Sequence, residues 1–229
     1  MQTGILYIVA TPIGNLEDIT FRALETLRKV DLIICEDTRH TQKLLQKYEI
    51  KTPSVCFYCQ SRGKCKKPPL NINFILGELE KGNNLALVTD AGTPGISDPG
   101  NLLVERAVAK NIAVIPIPGA SALTAIASIS GIDLARFTFL GFPPYKKGRE
   151  TFFKEVAALR YPVIYYESPH RLIKNLELLK NLVPDKRIII GKELTKMFEE
   201  IVRGTVTEVL NYLEKNKNKI KGEFAIIVY

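Results

Sequence analysis

An apolar run, Leu85 to Val88, leads directly into Thr89-Asp90-Ala91-Gly92-Thr93-Pro94-Gly95-Ile96-Ser97-Asp98-Pro99-Gly100. The run predicts a buried strand, and residues 102–109 behind it carry apolar side chains at helical spacing. Between strand and helix stand three glycines, two prolines and two aspartates. A plain turn needs far less backbone specialisation. Glycine lets the backbone approach a ligand closely, and proline fixes the path of the chain without offering a donor. In an open α/β sheet, ligands sit at loops following the carboxyl ends of strands. The stretch therefore predicts an α/β fold with a small-molecule cofactor at this loop, the competing reading being a purely structural connection.

Other segments repeat the same unit. Strands are predicted at 5–9, 32–35, 54–58 and 112–117, alternating with helices at 21–30, 41–48 and 72–79. Thr38 is the expected cap of the second helix. A second Pro/Gly loop, Ala10-Thr11-Pro12-Ile13-Gly14-Asn15, follows the first strand. Strands alternating with helices at this spacing predict parallel βαβ units and a doubly wound sheet. After Gly119 the character changes. A small-residue helix is expected at 121–129, strands at 137–140, 163–166, 187–190 and 224–228, and a helix at 206–213. Ser168 and Pro169 fit the cap and first position of a further helix. The boundary falls near Pro116 to Gly119, giving domains 1–117 and 118–229.

The 229 residues suffice for two domains with their own cores, and 46% hydrophobic with 24% charged residues is ordinary globular composition. No apolar run reaches bilayer length and the first residues lack a basic leader region, so a soluble intracellular protein without a membrane partner is expected. Cys35, Cys56, Cys59 and Cys65 suit a reduced compartment. The spacing of the last three hints at zinc, but no fourth ligand is evident; free thiols and no metal are the expectation. The net charge is +8, with basic clusters around Arg62, at Lys146-Lys147-Gly148-Arg149, and from Lys215 to Lys221. These clusters fit phosphate binding and a solvated lysine-rich surface equally well.

No two glycines lie two residues apart, which removes the dinucleotide fingerprint, and the P-loop pattern is missing too. No nucleophile elbow is present either, so covalent hydrolase chemistry has little support. His40 and His170 each stand just past a strand end beside an acidic residue and an arginine, with Glu36, Asp37 and Glu167 near. Such groups suggest a polar site or, equally, strand-end ion pairs.

Seven stretches in order, LYIVATPIGNLEDIT, CEDTRHTQKLL, LVTDAGTPGISDPG, VIPIPGASALTAI, FLGFPP, YESPHRL and KELTKMFEEIVRGT, resemble the motifs of the bacterial ribosomal small subunit methyltransferase I family, of the tetrapyrrole methylase fold class. The resemblance departs at Tyr58-Cys59-Gln60-Ser61-Arg62, where the family usually has a His-acid-His-Asn pattern, and typical members continue beyond the last strand. It implies two α/β domains, the first a mainly parallel sheet and the second mixed, with a cofactor cleft between them. It implies transfer of a methyl group from S-adenosyl-L-methionine to the ribose 2′-hydroxyl of the cytidine at position 1402 of 16S rRNA in the 30S subunit, by a cytoplasmic homodimer. Pro12, Asp90, Gly92, Thr93, Ile96, Ser121, Ala122 and Tyr166 are then expected at the cofactor. Glu36, Asp37, Glu167 and His170 are candidate bases. Arg39, Arg62, Lys146, Lys147, Arg149, Arg171 and Lys192 are candidates for the RNA. Two other readings compete: a small-molecule tetrapyrrole-type methylase, opposed by the basic charge and by CEDTR and YESPHR, and a non-catalytic RNA-binding relative, opposed by the intact cofactor-loop motifs.

Overall fold

All three residues of Leu85–Leu87 are buried and form β4, the middle strand of a five-stranded sheet. The computed structural model describes residues 3–57, 71–97 and 100–229. It divides into two units, Met1–Ser121 and Ala122–Tyr229.

In the first unit, β1 (Ile5–Val9), β2 (Leu32–Cys35), β3 (Ser54–Cys56), β4 and β5 (Ala113–Ile117) lie in the order β3-β2-β4-β1-β5, every neighbouring pair parallel. Helices α1 (Phe21–Lys29), α2 (Thr38–Lys47), α3 (Ile72–Glu80) and α4 (Asn101–Ala109) connect them. Because successive side chains of a strand point to opposite faces, the buried residues sort by parity. Val9, Ile33, Cys35, Ala86 and Val88 pack with Leu24 and Leu27 of α1 and Leu44 and Leu45 of α2. Leu6, Ile34, Leu85 and Leu87 pack with Ile75 and Leu79 of α3 and Leu103 and Ala107 of α4. The sheet is therefore covered on both faces. Neighbouring β1 and β4 send their chains to opposite faces, through α1 and α4. This is the switch point at which an open α/β sheet leaves a crevice.

The second unit holds β6 (Thr138–Phe139), β7 (Val163–Glu167), β8 (Arg187–Lys192), β9 (Glu200–Thr205) and β10 (Phe224–Val228) in the order β6-β7-β10-β8-β9. Only β6 and β7 run parallel; the other pairs are antiparallel, so the sheet is mixed. Its main core joins Tyr165, Ile188, Ile190, Phe224 and Ile226 to α6 (Arg149–Ala158), α7 (Leu172–Leu182) and α8 (Val206–Lys215). α5 (Ala122–Ser128) lies on the other face, where a β-carbon on Gly191 would come within 2.6 Å of Ile126 Cδ1.

Local expectations fail in three places. Asp37, not Thr38, caps α2: its carboxylate accepts from the Arg39 N–H at 2.9 Å, and Thr38 is already helical. Ser168 does not cap α7 with its side chain. Its carbonyl accepts from the Arg171 and Leu172 N–H groups, while its hydroxyl accepts from Arg171 Nε at 3.0 Å, and the helix begins at Leu172. β9 has no counterpart among the expected strands; it is an edge strand with only Gly204 buried, so it lacks the apolar signature of its neighbours. Among the described residues, no helix is long and apolar enough to cross a membrane.

Candidate active site

The loop after β1 and the loop after β4 are bound to each other at the switch point. Thr11 N–H donates to the Gly92 carbonyl at 2.9 Å and Gly92 N–H to the Thr11 carbonyl at 3.0 Å. The buried Thr11 hydroxyl adds a bond to the Thr89 carbonyl at 3.0 Å. A third strand end joins them: Thr93 Oγ1 donates to the Ala120 carbonyl at 3.2 Å, and a β-carbon on Gly119 would stand 3.1 Å from Ala10 Cβ. Gly92 has φ +86°, a conformation open to glycine at little cost. A β-carbon there would lie 3.4 Å from Ile13 Cγ2 and 3.8 Å from the Ala120 oxygen, filling the hollow the glycine leaves. Pro12 is buried and Ile96 exposed. The N–H groups of Thr93 and Gly95 donate to nothing among the described residues, while Pro94 and Gly95 form a turn. A backbone hollow with open donors suits a ligand carrying a carboxylate.

Next to it, the ends of β2 and β4 gather carboxylates. Glu36 Oε2 accepts the Thr89 hydroxyl at 3.1 Å, and Asp90 Oδ1 accepts the Asp37 N–H at 3.1 Å. Asp37 meets the Arg39 guanidinium with both oxygens, Nε lying 3.0 and 3.1 Å away. That fork lowers its carboxyl to about 2. Arg39 is thereby engaged within its own helix turn, although its side chain remains 58% exposed. Polar atoms of Asp37, His40 and Asp90 lie within 4.8 Å of one another. A cation there would have to break the Asp37–Arg39 pair, so the trio is better read as a hydrogen-bonded polar group. Neither Thr11 nor Thr89 belongs to the expected site residues, and only the position of Thr11 beside Pro12 hints at its role; His40 is the strand-end histidine already singled out as part of a polar site.

Cys35 and Cys56 are buried, and burial pushes the Cys35 thiol up to about 12. Cys56 Sγ donates to the Glu36 carbonyl at 3.0 Å. Cys59, Cys65 and Arg62 lie outside the described residues, as does the departure at 58–62.

Glu167, at the end of β7, is 1% exposed. One carboxylate oxygen accepts the Ser168 N–H at 2.7 Å and faces Arg171 Nε at 3.1 Å; the other accepts the Asn175 amide. Arg171 Nη1 continues to the Pro143 carbonyl at 2.8 Å. Glu167 and Arg171 thus tie β7, the start of α7 and the Phe142-Pro143-Pro144 loop together. Tyr166 packs edge-on against Phe139 and tilts against Phe142, with ring centres 5.1 and 5.3 Å away. His170, Lys146 and Lys147 are exposed, and Ser121, Ala122 and Arg149 are partly buried. Lys192 lies 3.6 Å from Glu200, which the Tyr212 hydroxyl and Lys219 also engage.

A family model for tetrapyrrole (corrin/porphyrin) methylases matches residues 5–210. A solved cobalt precorrin-4 methyltransferase superposes with a TM-score of 0.68 over 98% of this chain and 94% of its own, at 18% identity. The class of protein is thereby defined: a methyltransferase with the tetrapyrrole methylase fold. The ribosomal RNA small subunit methyltransferase I of Synechocystis is 46% identical over 98% of this chain and 78% of its own length. That of Thermotoga maritima is 43% identical over 98% of both. The chain belongs to the ribosomal RNA small subunit methyltransferase I family. Methyltransferases of this kind use S-adenosyl-L-methionine, and the Gly92 hollow with its open N–H donors fits the amino-acid end of that molecule.

Proposed function

We propose that the chain methylates the ribose 2′-hydroxyl of a cytidine in 16S rRNA, at position 1402, within the 30S subunit. The observation that carries this is the near full-length similarity to relatives bearing the small-subunit rRNA methyltransferase name, joined to the glycine-bearing loops bridged at the switch point. S-adenosyl-L-methionine supplies an activated methyl group. What the chain supplies is alignment, worth much of the rate when the reacting atoms are held in line, and an acceptor for the hydroxyl proton. In this reading Pro12, Gly92, Thr93 and Ile96 take the amino-acid end through backbone groups, while Ser121, Ala122 and Tyr166 serve the rest of the molecule. Lys146, Lys147 and Arg149, exposed or partly so, are the cations offered to phosphates, with Arg62 and Lys192 as further candidates. Arg39 and Arg171 keep their intramolecular partners and steady the loops around them. A homodimer working in the cytoplasm completes the proposal.

Labelled S-adenosyl-L-methionine incubated with the protein and 30S subunits lacking this modification tests it. Label recovered in 2′-O-methylcytidine supports the reading; label in a base, or a failure to bind the cofactor in calorimetry, refutes it.

A further inference from the structure

A hydroxyl that gains a methyl group must lose a proton, and a positioned acceptor typically contributes ~10²–10⁴-fold to such a step. The geometry ranks the candidates. Asp37 is committed to Arg39 through both oxygens. Glu167 is buried with both oxygens bonded, and Glu36 receives the Thr89 hydroxyl. Asp90 differs from Asp37 and Glu167 in keeping a free oxygen, as Glu36 also does at Oε1, and differs from Glu36 in standing beside His40 and two residues before Gly92. The Asp37 N–H pins its Oδ1, while its second oxygen has no hydrogen-bond partner among the described residues. Two residues further on stands Gly92, at the hollow assigned to the cofactor, and the exposed ring of His40 has a nitrogen within 4.8 Å. Although Asp90 is exposed at the surface, the desolvation it feels from the surrounding chain and the neighbouring Glu36 charge push its carboxyl up, towards holding a proton, against the opposing effects of His40 and the Asp37 N–H.

Resting on the 2′-O-methylation reading, we propose that the free oxygen of Asp90 accepts the ribose hydroxyl proton and that His40 passes it to solvent. The hydroxyl O–H bond breaks, its oxygen forms the new bond to the methyl carbon, and the methyl–sulfur bond breaks with its electron pair left on sulfur. The proton goes to Asp90, then to the His40 ring. Among the described residues, the groups facing Asp90 are Glu36 and Asp37 at the end of β2, Arg39 and His40 in α2, and the Cys35 thiol beneath them.

Three variants test this. Asp90→Asn should keep cofactor affinity in calorimetry within about threefold, and its melting temperature, while single-turnover methylation of 30S subunits falls at least ~100-fold. His40→Ala should lose about tenfold and regain most of it with added imidazole. In carboxyl-carbon NMR of the free protein, the Asp90 signal should titrate above the usual aspartate range, and Glu36→Gln should move its midpoint down, since a like charge has been removed. Weakening of cofactor binding by more than about tenfold in Asp90→Asn would make Asp90 a cofactor ligand and overturn the proposal, as would methylation within about threefold of wild type. An Asp90 midpoint at or below the ordinary range would overturn it as well. Failure of the wild-type protein to methylate ribose would instead refute the underlying function.

Discussion

Thr11 and Gly92 exchange backbone hydrogen bonds in both directions, at 2.9 and 3.0 Å, although they follow different strands and stand 81 residues apart. This isolated bridge holds the carboxyl-end loops of β1 and β4 at one spacing. It also presents Gly92, at φ +86°, with its missing side chain directed at Ile13 and Ala120.

Replacing Gly92 by valine puts a β-branched residue into that conformation and fills the hollow. The strain should cost ~1–3 kcal/mol, which a folded unit with two-sided core packing survives. Calorimetry should show cofactor binding weakened at least ~100-fold with the folded state retained in circular dichroism. Unchanged affinity would remove Gly92 from the binding site.

The buried Glu167 carboxylate is the hub of its unit's polar network. Glu167→Ala strands Arg171, only 15% exposed, beside the Asn175 amide. Removing one partner of a buried pair typically costs ~3–5 kcal/mol, so the urea midpoint of the second unit should fall markedly. A loss below about 1 kcal/mol would show that the network contributes little.

Arg39 gives the first unit a pH dependence of known sign. Asp37 has its carboxyl lowered from 3.8 to about 2 by the Arg39 hydrogen bonds, so the pair stabilises the fold above pH 4. That contribution disappears as pH falls from about 4 to about 2. Because Arg39 is more than half exposed, solvent screening keeps that contribution small. Arg39→Ala should return Asp37 to the usual aspartate range and flatten stability over that interval; a slope equal to wild type in acid titration would contradict the assignment.

Lys146 and Lys147 are both exposed at the approach to α6. If they meet RNA phosphates, changing both to glutamine should lower the slope of log affinity against log salt by roughly 0.7 per phosphate lost. Affinity should also fall without a change in which nucleotide is modified. A slope identical to wild type would mark them as solvated surface.

Much of this was legible in the chain itself. The apolar runs at Ile5–Val9, Leu32–Cys35 and Leu85–Leu87 are strands where the pattern put them, because a strand buried on both faces must be apolar at successive positions. β9 escaped because an edge strand needs no such run. The caps misled at Thr38 and Ser168: each lies one residue from a carboxylate, Asp37 or Glu167, that takes a nearby backbone N–H instead.

The amino-acid sequence by itself determined the βαβ alternation, the glycine–proline loops at strand ends and, through its motifs, the family. Those are properties of neighbouring residues, set by side-chain period and backbone freedom. Only the tertiary structure decided which carboxylates share a site. Asp37 and Asp90 come from strand ends 53 residues apart, and Glu167 sinks into a separate core with both oxygens bonded. An acid's chemistry depends on its burial and partners, and those exist only once the sheets have formed.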